Sequence, residues 1–145
     1  MTMINLGSGT KHKKGYVNID YVAPADVILN IAKEKLPFED GSVDKIEADN
    51  FLEHLDNEEF MHVMNECWRV LRPAGIFWFV VPDALRWPDG AFGDPTHKRF
   101  FVQRSFNYFT DHPTYHNYGK SYGFKMWRLG DLKSDSHFFT CTLIK

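Results

Sequence analysis

Cysteine is nearly missing from this chain: Cys67 and Cys141 are the only two among 145 residues. They lie far apart and in no metal-ligand spacing. That excludes a disulfide scaffold or a zinc ribbon and leaves two buried, reduced thiols as the expectation. The seven histidines are scattered. His54 and His62, eight apart without a third ligand, do not compose a site, and no metal is expected. An excess of one charge is lacking too. Seventeen basic residues face nineteen acidic ones, for a net −2, so the basic stripe of a nucleic-acid binder is absent and nucleic acid is not an expected partner. No apolar run comes near the ~20 residues that cross a membrane. Met1 to Leu6 leads straight into a strand-like segment with no room for a secretory leader, and the expected location is cytoplasmic. Repeats, low-complexity tracts and linkers are also missing, so residues 1–145 read as one domain.

What the chain has in quantity is aromatic residues, and 17 of the 23 follow Gly75. Many fall between Trp87 and Tyr122, the least regular stretch, which is read as shaping a pocket. Earlier segments are more regular. Met3 to Leu6 is a short apolar strand ending in Gly7-Ser8-Gly9, Tyr16 to Ile19 a second closing on Asp20, and Val27 to Leu29 a third. Leu36 to Ser42 is rich in turn residues, and Val43 to Ala48 is a fourth strand. Asp56-Asn57-Glu58-Glu59 has the form of a capping box. Phe60, Met64, Cys67, Trp68 and Leu71 then recur at helical spacing, until Pro73 and Gly75 stop the helix. Ile76 to Val81 is an unbroken apolar run, as expected of a strand buried on both faces. Helix and strand together suggest a parallel α/β sheet. A short helix over Phe101–Phe109 follows. Two closing strands, Lys125–Leu129 and Phe138–Ile144, are joined as a hairpin through Asp131 to Ser136.

The early connections are too short. Seven residues, Asp20 to Asp26, separate the second and third strands, whereas a parallel crossover takes about a dozen or more, usually a helix. Helices on one face are therefore reduced or missing. A second subunit is expected over the bare face, giving a homodimer.

A strand, a glycine turn and an acidic residue closing the next strand form a nucleoside-binding arrangement. Gly7 and Gly9 let a ligand approach the backbone, and Asp20 is placed to accept from both hydroxyls of a ribose. Three ligand classes compete. A dinucleotide fingerprint wants a third glycine where His12 stands, and its acid about 20 residues on, while Asp20 follows Gly9 by eleven. A phosphate loop wants G-x-x-x-x-G-K-[ST], which neither Gly9 nor Gly15 satisfies. Lys11, Lys13 and Lys14 keep a phosphate ligand open. A nucleoside without phosphates fits better.

Four segments extend the pattern in order: INLGSG at 4–9, GYVNID at 15–20, LPFEDGSVDKIEADNFLEHL at 36–55 and ECWRVLRPAGIFWFVVPD at 66–83. Together they resemble the class I S-adenosylmethionine-dependent methyltransferases, in particular a short branch with L-x-L-G-C-G, G-W-x-N-V-D and L-P-F-x-D-x-S-x-D-x-I. The resemblance spans about residues 4–83 and continues faintly into DPTHKRFF. It implies a Rossmann-like α/β fold, a mostly parallel sheet with an antiparallel C-terminal hairpin, and S-adenosylmethionine as cofactor. By this resemblance Asn5, Leu6, Gly7, Ser8 and Gly9 hold the methionine part. Asp20 takes the ribose with Tyr21 beside it, Asn30 the adenine amine and Ile31 the ring. Asp49 and Asn50 line the sulfonium end. Ser8 stands where the branch often has Cys. The helix that the family places before its first strand is not seen, which implies an open site or one closed by a partner. Glu53-His54-Leu55 matches the family's E-H-L, and its first two residues read as organising the turn into the capped helix.

Methyl transfer asks a protein mainly for alignment, and for a base where the acceptor is a hydroxyl or amine. Asp94 and His97, beyond the fifth strand, are the candidates, because open α/β sheets bind ligands past the carboxyl ends of their strands. Asp83 is a secondary candidate. Lys98, Arg99 and Arg104 read as a solvated helix face, with contact to an anionic substrate as the alternative. The expected activity is methyl transfer to a small-molecule or sugar/glycan acceptor. A non-catalytic, degenerate nucleoside-binding or assembly subunit is the alternative, and a nucleotide-phosphate enzyme relying on Lys11 to Lys14 a third.

Overall fold

The computed structural model describes every residue from Met1 to Lys145. Its strands are β1 (Met3–Leu6), β2 (Val17–Asp20), β3 (Val27–Ile28), β4 (Val43–Asp49), β5 (Leu71–Pro82), β6 (Arg128–Ser134) and β7 (Phe138–Ile144). They form one sheet in the order β3-β2-β1-β4-β5-β7-β6. The pairs from β3 to β5 are parallel, and β7 runs antiparallel between β5 and β6. Three helices, α1 (Asn57–Val70), α2 (Pro88–Phe92) and α3 (His116–Tyr122), and two 3-10 turns at Leu52–His54 and Gln103–Tyr108 complete the fold. This is the mostly parallel α/β sheet with an antiparallel C-terminal hairpin that the sequence implied.

Helix α1 starts where its cap predicts. The Asp56 carboxylate accepts from the Glu59 backbone N–H, and the Glu59 carboxylate accepts from that of Asp56, each at 2.9 Å. Phe60, Val63, Met64, Cys67 and Val70 form its buried face. Trp68 is only partly buried, and Leu71 already opens β5. Above the β5 end of the sheet lie Phe101, Phe106, Phe109 and Trp127, all buried. Phe106 stacks on Phe79 and Phe101 and meets Phe139 edge-on. Of the aromatic stretch read as pocket-shaping, Phe101, Phe106 and Phe109 serve the core, while Phe92, Phe100, Tyr118 and Tyr122 stay exposed. The segment read as one short helix is a 3-10 turn, because its apolar residues serve one sheet rather than a helical stripe.

The expectation that Ile76–Val81 is buried on both faces is not met. Phe77, Phe79 and Val81 are buried, Ile76 is 36% exposed and Trp78 and Val80 are half-buried. Cross-strand partners point to the same face, so the register writes out the open face in rows. One runs Met3, Lys45, Ile76, Ile144, Arg128 and another Asn5, Glu47, Trp78, Thr142, Asp131. A third runs Asp49, Val80, Thr140, Lys133. Charged residues flank a narrow apolar strip. On this face a parallel sheet alternates polar-out and apolar-in, a habit of antiparallel sheets.

No helix forms between β1 and β2, β2 and β3, or β3 and β4, as the short connections implied. Side chains satisfy the loops instead. Asn5 Nδ2 donates to the Lys11 carbonyl and Asn18 Oδ1 accepts from the Lys13 N–H. Asn18 Nδ2 donates to Asp26. The strand expected at Lys125–Leu129 lies later, at Arg128–Ser134. It is a polar edge strand with a register shift between Leu129 and Asp131, which leaves little hydrophobic periodicity to read. No helix is long and apolar enough to cross a membrane, and both cysteines are buried thiols.

Candidate active site

The register of the three central strands builds the site. Leu6 pairs with Ile19 on one side and Ala48 on the other, so Gly7, Asp20 and Asp49 leave the sheet at one edge. Gly7 turns with φ +62°, and a Cβ there would come within 2.5 Å of Phe51. Only glycine allows both the turn and that close approach. The Asp20 carboxylate, 8% exposed, is aimed by its own backbone neighbours. Oδ2 accepts from the Gly9 N–H at 2.8 Å and Oδ1 from the Val22 N–H at 3.2 Å. Each oxygen keeps a further lone pair for a ligand.

Beyond this edge lies a cleft of about 520 Å³, within the usual range for small-molecule sites. Of the residues expected from the sequence, Gly7, Asp20, Tyr21, Asn30, Ile31 and Asn50 line it. The others stand behind or beside that wall. Leu6 is core, Asn5 is turned toward Lys11 and Asn18, and the Ser8 hydroxyl is buried without a partner. Gly9 offers its N–H to Asp20, while Asp49 pairs with Lys11 at 3.6 Å and accepts from Asn50.

Residues 5–79 match a family model for a methyltransferase domain. The chain belongs to that methyltransferase family. Its cofactor is S-adenosylmethionine. No curated protein sequence matches it, but many solved structures share the fold. One is the 1,6-didemethyltoxoflavin-N1-methyltransferase of Burkholderia thailandensis, with 1,6-didemethyltoxoflavin and S-adenosylhomocysteine bound. It has a TM-score of 0.68 and 12% identity over 99% of this chain and 70% of that one. A SAM-dependent methyltransferase of Archaeoglobus fulgidus also has a TM-score of 0.68 and 12% identity, over 99% and 86% of the two chains. One of Aquifex aeolicus has a TM-score of 0.65 and 15% identity, over 99% and 81%.

The methyltransferase's cleft has a second wall that the sequence reading missed in part. Phe51, His54, Leu55, Glu59, Thr96 and Lys98 line it. Phe51 was legible as the residue after Asn50 at the β4 exit, and Thr96 as the residue between two candidates. Nothing in the pattern separated Leu55 and Glu59 from an ordinary helix entrance. Asp94 and His97 stand just behind. Thr96 Oγ1 donates to Asp94 at 2.7 Å and lies 3.0 Å from His54 Nδ1. The His54 and His97 rings meet edge-on at 4.9 Å. Burial, then the neighbouring His97, lowers the His54 pKa, and the Thr96 hydrogen bonds lower that of Asp94. Burial pushes the Glu53 carboxyl up to about 7, with the charges of Asp49 and Asp94 adding to it.

Other candidates lie elsewhere. Asp83 is buried and spent on the Leu85 and Arg86 N–H groups and the Ser134 hydroxyl. His62 meets the Glu34 carbonyl. Lys98, by contrast, is at the cleft wall, paired with Glu59 at 3.0 Å, while Arg99 lies over the Phe60 ring and Arg104 over Tyr115.

Proposed function

We propose that this methyltransferase acts on a small-molecule or sugar/glycan acceptor, as a single domain over residues 1–145, in the cytoplasm and as a homodimer. The observation that carries the reading is the convergence of Gly7, Asp20, Asn30, Ile31 and Asn50 on one cleft. The cofactor fits the donor set there: a carboxylate with free lone pairs, and a glycine wall that a Cβ would fill. Asp20 would take the ribose hydroxyls, Asn30 and Ile31 the adenine, and the Asn5–Gly9 turn the methionine. Asp49 and Asn50 would stand at the sulfonium end. When bound, S-adenosylmethionine supplies an electrophilic methyl group.

The chain's own part is to align the acceptor and remove its proton. His54 lines the cleft and touches His97, so the proton passes to this pair and Asp94 balances the charge gained. The cleft's size and the balanced surface charge support a small acceptor over nucleic acid. The small molecule bound by the Burkholderia enzyme is a further support. The exposed Ile76 and its half-buried neighbours Trp78 and Val80 support a second copy over the open face.

Calorimetric titration with S-adenosylhomocysteine tests the cofactor placement. Asp20→Asn should weaken binding by at least about tenfold, the loss expected when a charge-assisted hydrogen bond becomes neutral. Unchanged affinity would remove Asp20 from the site. His97→Ala should slow transfer and leave that affinity unaltered. Sedimentation should give twice the 16.9 kDa chain mass, and a monomer would end the dimer reading.

A further inference from the structure

One ligand atom from each of Glu53, His54 and His97 lies within 4.8 Å of the other two. Glu53 is 1% exposed, and neither carboxylate oxygen has a hydrogen-bond partner. A buried carboxylate in that condition requires a proton or a cation. No nearby cation pairs with it. Lys98 is bound to Glu59, and Arg99 reaches Asn57 through Nη2 and lies over the Phe60 ring, its buried Nε without a partner but making no contact with the Glu53 carboxylate.

The hydrogen bonds around the two histidines fix where their lone pairs lie. Thr96 gives its hydroxyl proton to Asp94, so toward His54 Nδ1 it can only accept, and that nitrogen carries the hydrogen. His97 Nδ1 is 2.8 Å from the Ala91 carbonyl, which also only accepts. In the neutral form both rings therefore hold a proton on Nδ1 and a lone pair on Nε2; that of His97 lies 3.7 Å from Asp94 Oδ2, beyond hydrogen-bond length. Metal-bound histidines are oriented in this way, through the nitrogen that does not bind. The third partner is held in place by the backbone. The Lys98 and Arg99 N–H groups both donate to the Glu53 carbonyl, at 2.8 and 3.1 Å. They clamp the His97 loop onto the Glu53 turn across more than forty residues of sequence.

We propose that Glu53, His54 and His97 bind one divalent first-row transition-metal ion beside the cleft. Two imidazoles with one carboxylate suit iron(II), cobalt(II) or zinc(II) and not magnesium or calcium, which prefer oxygen ligands. Three protein ligands leave positions open. His54 lines the cleft, so those positions adjoin the acceptor's space, and a hydroxyl bound there would be acidified. That use rests on the proposed function, with the ion in place of the histidine pair activating the hydroxyl, because both Nε2 atoms are then occupied and the proton leaves to water. The binding of metal does not rest on it.

Metal-free protein titrated with cobalt(II), without cofactor, should develop visible d–d absorption that saturates at one ion per chain. Zinc(II) should abolish it and magnesium(II) should not. Glu53→Gln and His97→Ala should lose the signal. Thr96→Val should weaken binding about tenfold by releasing the His54 ring. His54→Gln changes a half-buried side chain, so it tests the site if the other two variants fail to fold; circular dichroism confirms each fold. No d–d absorption in the wild type, equal binding by the three ligand variants, or displacement by magnesium would each overturn the proposal. S-adenosylhomocysteine titrated in parallel separates the two readings. Cobalt bound without it would sink the cofactor placement alone, and the reverse would sink the metal site alone.

Discussion

Glu47 stands in the open face of the sheet, where Lys13, Lys45 and the Tyr16 hydroxyl all donate to one carboxylate. Partial burial pushes its carboxyl up, but the three hydrogen bonds together outweigh that and hold it at about 2. A folded-state value below the unfolded one stabilises the fold above the usual Glu range. That contribution is lost as pH falls toward 2. Glu47→Gln should therefore cost about 1–2 kcal/mol near pH 7, after discounting for the partly exposed lysines. Urea unfolding of the two proteins should converge below about pH 2; a gap that persists there would mean another cause. Single residues were unevenly legible. Asp20 and Gly7 could be read because a ligand-facing glycine and acid sit at strand ends, where the chain pattern marks them. Glu53 was legible only as a turn residue, since its nearness to His97 depends on a segment far along the chain folding back onto it.

At the scale of elements, α1 depends most on its first turn. Asp56→Ala removes an acceptor from the capping box and should cost about 1 kcal/mol, read by thermal or urea unfolding. No loss would mean that the Glu59 side chain alone suffices as a cap. This helix was legible to the residue at its start, because capping chemistry is local. β7 was legible for the same reason: its buried side, Phe139, Cys141 and Leu143, alternates strictly. β6 was misplaced because an edge strand carrying Arg128, Asp131 and Lys133 has no apolar side to announce it. α2 and α3, of five and seven residues, are too short for a periodicity to register.

For the whole molecule, the sequence conveyed the parallel sheet and its missing crossovers but not the order of strands, which depends on pairings between distant segments. Nor did it convey the wetted face, because Ile76, Trp78 and Val80 read as core from their type alone. The margins of the sheet are poor templates for another chain: β3 has two residues, and β6 is charged and irregular. Such edges discourage intermolecular pairing. The segment most able to aggregate, Ile76–Val81, is instead enclosed between β4 and β7. β7 thus acts as a guard as well as a structural strand. Deleting Phe138–Ile144 should expose a long, uncharged, β-prone ribbon. Light scattering should then report fibrils or precipitate rather than a destabilised but dispersed monomer.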